Sequence, residues 1–403
     1  MEMIYMDKNE KTVSVVRCEN YGRDQVYDAV KKSMELLGGL GQFVSPGQKV
    51  FLKFNMLVGS APEACVTTNP DIVYAVARLL KEHGCKVVMG DSPGGGLLYT
   101  EDVLKKQYAI SGYKEVSEKL KIPLNYDTGF QGVMAPSGRL VKRFSIINPA
   151  LEADAIVVVS KAKTGALLGM TGGTKNIFGL VPGLEKPVYH ANYPNIYDFC
   201  QVFLDLNEVV KPKLQIMDAI MGQDGDGPIA GTPRKIGAVL ASGDYNAIDV
   251  ITARLMSLDL GRMPMLKVAV ERGYLREDFS DVTIVGDSME DLIAKDFKGP
   301  STYAGPEMTR YADFNRMSGM GFTLMKKAAL RPHIHKDKCI DCMKCIRICP
   351  VKTIKMENKK PSINYMKCIN CYCCHEMCDT RAISLERSLF GKIMVGVMSM
   401  RGK

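Results

Sequence analysis

The chain has 403 residues, 13 of them cysteines, and a formal net charge of +9. That length predicts two or three domains and leaves about 300 residues outside the cysteine-rich end to bury a core. No apolar run reaches the length of a membrane span, and residues 1–11 lack the apolar stretch of a signal peptide, so a cytoplasmic protein is expected.

The first 290 residues alternate short apolar runs with helical periodicity. Strands are expected at 12–17, 49–54, 86–90, 155–160, 214–218, 236–241 and 282–285, and helices at 25–37, 70–83, 197–210 and 245–256. Thr68 or Asn69 caps the second helix, with Pro70 in its first turn. Apolar strands separated by helices predict an α/β fold over 1–295, a mainly parallel sheet with flanking helices. The pattern loosens over 296–332, where Gly-Pro occurs at 299–300 and 305–306 beside a Ser-Gly-Met-Gly run, and this reads as a linker. A small α+β domain is expected at 333–387. The tail, 388–403, is apolar and basic by turns and is expected to pack on the body.

In open α/β sheets, ligands sit at the carboxyl ends of the strands. Lys53 and Asn55 end the second expected strand, and Asp91 and Ser92 follow the third. Lys161 and Lys163 follow the fourth, Asp218 closes the fifth, and Ser242 with Asp244 follows the sixth. Each alone is ordinary turn chemistry; five together predict a crevice site. The densest stretch is 161–179, where Gly172 and Gly173 precede Thr174, Lys175 and Asn176, so backbone N–H groups can approach an anion while lysines supply charge. The residue order departs from a Walker A loop, and no Gly-x-Gly-x-x-Gly follows the first strand. ATP and NAD sites of the usual kinds are therefore unsupported. His190, beside Lys186 and Tyr189, is either a proton-exchanging group or a structural histidine. Asp224 and Asp226 read as a turn, not an EF-hand. Cys18, Cys65, Cys85 and Cys200 have no ligand spacing and read as small buried residues, with Cys65 close enough to Thr67 to face the crevice.

The segments around Lys53-Phe54-Asn55, Thr67-Thr68-Asn69-Pro70, Gly90-Asp91-Ser92-Pro93, Lys161-Ala162-Lys163-Thr164, Thr174-Lys175-Asn176 and Lys186-x3-His190 resemble motifs of domain-of-unknown-function family 362. So do Asp218, the Gly225-x-Gly-Pro loop and Ser242-x-Asp244-x2-Ala247-x-Asp249. The resemblance spans roughly residues 12 to 290 and implies an α/β fold with a site, often fused to a ferredoxin unit. Members often carry His after Lys-x-Lys-Thr and Pro between the first Lys and Asn; this chain has Gly165 and Phe54 there.

Eight cysteines fall in two copies of one spacing, Cys339-x2-Cys342-x2-Cys345-x3-Cys349 and Cys368-x2-Cys371-x2-Cys374-x3-Cys378. The copies lie 29 residues apart, as do Ile340 and Ile369, Ile354 and Ile383, and Met356 and Leu385, so the segment is an internal duplication. A tight Cys-x2-Cys-x2-Cys loop can wrap three corners of a cubane while the fourth cysteine leads away. Two 4Fe-4S clusters are expected; zinc and disulfides are the alternatives. Cys373, beside Cys374, is either a spare loop thiol or a ligand swapped for its neighbour, and Asp379 stands where the first copy has Pro350. The spacing is similar to that of bacterial two-cluster ferredoxins. This resemblance implies that Cys339, Cys342, Cys345 and Cys378 hold one cluster and Cys349, Cys368, Cys371 and Cys374 the other.

From Gly299 onward 19 Lys+Arg stand against 8 Asp+Glu, whereas the first 298 residues hold 34 against 36. A basic ferredoxin unit points to an acidic redox partner of ferredoxin or flavodoxin type. Solvated lysines with no specific partner are the plainer reading, and no nucleic-acid motif is present. The leading expectation is an iron–sulfur oxidoreductase of an anaerobic or microaerobic cell, relaying low-potential electrons through two 4Fe-4S clusters to a substrate or cofactor in the crevice. Lys161, Lys163 and Lys175 would hold an anionic small molecule and Asn176 would orient it. His190 or Asp218 would exchange protons, and Lys53, Asn55, Asp91 and Ser92 would complete the binding set. A non-enzymatic electron carrier or docking module, and a metal or cofactor maturation factor, are the other readings.

Overall fold

The computed structural model describes residues 11–303 and 329–393; Gly305-Pro306, the Ser-Gly-Met-Gly run and most of the expected tail lie outside the described residues. Strand β1 (Lys11–Arg17) leads through α1 (Arg23–Leu36), β2 (Lys49–Phe54) and α2 (Pro70–Glu82) to β3 (Lys86–Gly90). Helices α3 (Glu101–Ile110) and α4 (Tyr113–Leu120), the hairpin β4 (Phe130–Met134) and β5 (Arg143–Ile147), and the turn α5 (Asn148–Leu151) come next. The chain then re-enters the sheet as β6 (Ala155–Gly165), followed by β7 (Gly169–Met170), α6 (Gly172–Asn176), α7 (Glu185–Asn192) and α8 (Ile196–Val210). The remainder is β8 (Leu214–Asp224), β9 (Thr232–Ser242), α9 (Tyr245–Leu255), α10 (Pro264–Glu271) and β10 (Val282–Gly286).

The sheet order is β10-β1-β9-β8-β6-β2-β3. Only β9 runs against its neighbours, β1 and β8; the other pairings along this path are parallel. Alternate residues serve the two faces. Ile216, Ile220, Val239 and Ala241 pack with Val26 and Val30 of α1 and Ile72 and Val76 of α2. Met217, Ala219, Ala238 and Leu240 pack with Ile248 and Ile251 of α9. Helices therefore cover both faces of a mostly parallel sheet, as the sequence predicted. The cap of α2 is Asn69, whose side chain accepts from Asp71 N, with Pro70 at the first turn.

Three strands run further than the apolar pattern indicated: β6, β8 and β9 each span 11 residues. The apolar run stops where side chains turn polar, but the backbone ladder continues past that point. The reversed strand also corrects one expectation. Ser242 pairs with Val13 and Gln215, at the starting ends of β1 and β8, so Ser242 and Asp244 lie at the edge of the sheet opposite the crevice. Ser242 Oγ donates to Thr12 O, and Asp244 caps α9 by accepting from Asn246 N and Ala247 N.

The C-terminal unit comprises β11 (Arg331–Ile334), α11 (Lys344–Ile348), β12 (Ile354–Glu357), β13 (Lys360–Ile363), α12 (Cys373–Glu376) and β14 (Ile383–Glu386). The duplication extends to the backbone. β13 and β14 begin and end 29 residues after β11 and β12, and the left-handed residues Asp341, Met343 and Lys352 recur at Asn370, Tyr372 and Arg381. The outer strands β11 and β14 pair antiparallel, as do the inner strands β12 and β13, so each repeat completes the other. Among the described residues no helix is long and apolar enough to cross a membrane.

Candidate functional site

Five lysines approach the carboxyl ends of β2, β3 and β6, and three of them, Lys53, Lys161 and Lys163, are fully buried. A buried ammonium is costly unless paired, so their partners decide what each can do. Lys53 Nζ lies 3.0 Å from Asp91 Oδ1 and donates to Asn176 Oδ1 at 2.7 Å and Phe54 O at 2.8 Å. Asp91 is held in turn by the backbone N–H groups of Met56 and Ser92. Asn176 accepts from Asn55 Nδ2 and donates to Val159 O and Ser160 Oγ, so both ends of its amide are committed.

Lys161 Nζ pairs with Asp218 Oδ2 at 2.9 Å and reaches the Tyr21 hydroxyl at 2.7 Å. Asp218 also accepts from Tyr21 OH and Asn69 N. This closed set lies away from the cavity described below. The pairing of β6 with β8 shifts between Lys161 and Lys163, and such an irregularity re-aims the side chains on either side of it. The expected substrate contact of Lys161 and proton exchange of Asp218 therefore have no cavity-facing geometry.

Lys163 differs from both. Its Nζ donates to Asn55 Oδ1 at 2.7 Å and to Val66 O, with no carboxylate partner among the described residues. Burial, then the neighbouring Lys175, Lys161 and Lys53 ammonium groups, hold it well below the ordinary lysine range. A neutral amine has two N–H groups, which matches its two acceptors and leaves the lone pair unused. Lys186 is also buried, donating to Ser92 O, Ser92 Oγ and Pro93 O, and burial pulls it down to about 7.

The Gly172-Gly173 turn corrects a further expectation. Gly173 N and Thr174 N donate to the carboxylate of Asp249, on α9. The anion at this turn belongs to the protein itself. Gly172 has φ +60, and a Cβ there would run into Asp249, so glycine is required for the approach. Burial raises Asp249 to about 6 against the opposing pull of these hydrogen bonds.

The turn delivers Lys175 into a cavity of about 120 Å³. Its floor includes Lys53, Asn55, Asp91, Ser92, Lys163, Asn176 and Lys186, and its side His190. Its roof comes from the other end of the chain: Ile348, Cys373, Glu376 and Met377. Among the described residues, the Lys175 side chain makes no hydrogen bond or ion pair. Thr171 Oγ1, on a residue only 8% exposed, is likewise unpartnered. Glu376 Oε1 and Lys175 Nζ both converge on Gly165, at 3.8 and 3.9 Å from where its Cβ would stand. His190 packs on Phe199 with ring centroids 4.2 Å apart, and burial followed by the Lys175 charge lowers it to about 3, so the ring is neutral.

Beyond the roof lie two smaller cavities. One is lined by Cys339, Cys342, Cys345 and Cys378, the other by Cys349, Cys368, Cys371 and Cys374. Each is one of the crossed ligand sets, so the residues fit two cubanes. Cys374 borders both, while Cys373 borders the second and the crevice. No disulfide joins any of the 13 cysteines. Thr353 N donates to Cys349 Sγ at 3.3 Å and Ala382 N to Cys378 Sγ at 3.2 Å, the same contact in both repeats.

Residues 50–254 match the family model "Domain of unknown function (DUF362)", and residues 331–379 match "4Fe-4S dicluster domain". The chain belongs to the DUF362 family. It is 33% identical over 291 residues to a thylakoid-associated protein of Synechocystis sp., covering 72% of this chain and 88% of that protein. Among solved structures, the lactate racemase apoprotein from Thermoanaerobacterium thermosaccharolyticum aligns with a TM-score of 0.38 at 13% identity, over 62% of this chain and 58% of that one. The DUF362 unit thus carries a 4Fe-4S ferredoxin-like unit, the basis for iron–sulfur electron transfer. The roof residues Ile348, Glu376 and Met377 escaped the sequence reading, because strand ends point to the crevice but not to what covers it. Thr171 escaped too, and Asp249, though quoted in a family-like segment, had no role assigned; the orphaned hydroxyl and the turn contact supply what was missing.

Proposed function

We propose that this protein is a cytoplasmic iron–sulfur reductase of a cell living with little oxygen, which passes single electrons through two 4Fe-4S clusters to a small anion in the roofed cavity. The observation that carries the reading is Lys175: an unpaired ammonium facing a cavity whose roof is the helix that bears cluster cysteines. When bound, the clusters supply one-electron chemistry. Lys175 and the Thr171 hydroxyl hold the anion, while Lys53, Asp91, Asn55 and Asn176 brace one another and keep the floor rigid. Lys163, whose lone pair is unused, exchanges the protons that accompany reduction, while His190 stays a neutral wall of the cavity. Common ligand pockets hold about 300–1,000 Å³, so this one suits a ligand of a few heavy atoms, not a nucleotide.

The electron donor in this proposal is an acidic carrier of ferredoxin or flavodoxin type. Exposed Ile340 and Met366 stand beside exposed Lys338 and Lys367, with Cys342 open to solvent. Charge steering of that kind weakens as salt screens it over about 10 Å at 0.1 M. The test is anaerobic purification, mass spectrometry of co-purifying small molecules, and reoxidation of the reduced protein by each of them. Reoxidation by a small anion supports a reductase. Retention of no anion, with reoxidation only by partner proteins at a salt-independent rate, would make this a carrier without the proposed docking face.

A further inference from the structure

The duplicated unit carries one polar cluster that its cysteines do not explain. His333 and His335 stand two residues apart at the end of β11, which places both imidazoles on one face of the β11–β14 ribbon. Glu386 closes β14, and the register sets Ser384 opposite His333. One ligand atom from each of His333, His335 and Glu386 lies within 4.8 Å of the other two. His335 Nε2 is 3.3 Å from Glu386 Oε1 and 2.7 Å from Ser384 Oγ, and Ser384 Oγ donates to the same carboxylate oxygen at 2.7 Å.

We propose that His333, His335 and Glu386 form a mononuclear site for a divalent transition-metal ion, separate from the cysteine clusters. Two imidazoles and one carboxylate are a ligand set for Zn²⁺ and its first-row neighbours, with water filling the open position. His333 and Glu386 are exposed and His335 half-buried, so an ion has access from solvent. Ser384 sits where a supporting hydroxyl would orient both the His335 ring and the carboxylate.

The internal duplication supplies a control. The second ribbon, β12–β13, has the same backbone and pairing, but Ser362 and Asn364 stand 29 residues after His333 and His335, and Glu357 stands 29 before Glu386. The ribbon therefore folds without histidines at these positions. Their presence on one ribbon only calls for a reason beyond the fold. That ribbon joins the first and last strands of the unit, so an ion bridging β11 to β14 clips its two ends together.

The experiment uses the full chain, purified without oxygen and loaded with iron and sulfide. Equilibrium dialysis against Zn²⁺ is followed by elemental analysis of zinc and iron together. The expected result is one zinc per chain with iron unchanged and a higher melting temperature. His333→Ala, His335→Ala and Glu386→Gln should each abolish that zinc while retaining iron, which shows the unit still folded. Ser384→Ala keeps all three ligands and should weaken zinc roughly tenfold or more. Zinc uptake that survives the three ligand substitutions, or that occurs only as iron is lost, would overturn the assignment.

Discussion

Gly95 and Met377 meet so closely that a Cβ on Gly95 would collide with the Met377 methyl group and lie 2.6 Å from Val58 Cγ1. Gly95 belongs to the loop after β3, and Met377 follows α12, so this contact joins the DUF362 unit to the ferredoxin unit at the cavity roof. Gly95 also has φ +65, where an L side chain is strained.

Gly95→Ala should therefore cost about 1–3 kcal/mol through overpacking alone. The effect should appear as earlier proteolytic cleavage between the two units with iron content retained. A variant as resistant as the parent would show that the roof is not held by this contact.

Lys175→Ala should lower the affinity for the cavity anion by about tenfold to a hundredfold, the worth of a charge-assisted hydrogen bond of roughly 1.5–3 kcal/mol. Among the described residues Lys175 has no carboxylate partner to lose, so the melting temperature and cluster spectra should hold. Melting that falls sharply while the anion stays bound would assign Lys175 to structure.

Asp218→Ala leaves the Lys161 ammonium buried without its partner, a change that costs about 3–5 kcal/mol. Both side chains are fully buried and outside the cavity. Denaturant midpoints should fall strongly, while protein that remains folded should bind the cavity anion as before. Lost anion affinity at unchanged stability would return Asp218 to the site.

His190 is held at about 3 in the folded chain by burial and by Lys175, against about 6.5 for a free imidazole. Between those values the unfolded chain takes up a proton that the folded chain refuses. The stability of the neutral ring is full above 6.5 and is lost as pH falls toward 3. Urea midpoints from pH 7 to pH 5 should decline less steeply in His190→Gln than in the parent; identical slopes would mean that the ring is free to protonate.

Cys373→Ser should leave iron and sulfide unchanged, whereas Cys374→Ser should lose roughly half of both, since one four-cysteine set loses a ligand. Cys373 borders the crevice and one cysteine-lined cavity, and Cys374 borders both such cavities. Reversed results would move the ligand to position 373.

The layered α/β architecture and the duplication were legible in the sequence because they rest on short-range regularities, while the crossed cysteine sets came from the resemblance to two-cluster ferredoxins. Alternating apolar residues imply two-faced strands, and a 29-residue offset implies a repeated backbone. What the sequence could not tell was which polar groups spend their charge on one another. Lys53, Lys161 and Lys175 look alike in the chain, yet burial commits the first to Asp91 and the second to Asp218 and leaves the third without a side-chain partner among the described residues. The direction of β9, which takes Ser242 and Asp244 away from the crevice, and the turn that spends its N–H groups on Asp249 are set by pairings between distant segments. The roof is of the same kind. Glu376 and Met377 reach a cavity built some 200 residues earlier only because the ferredoxin unit folds back over the strand ends, and such closure follows from packing between units.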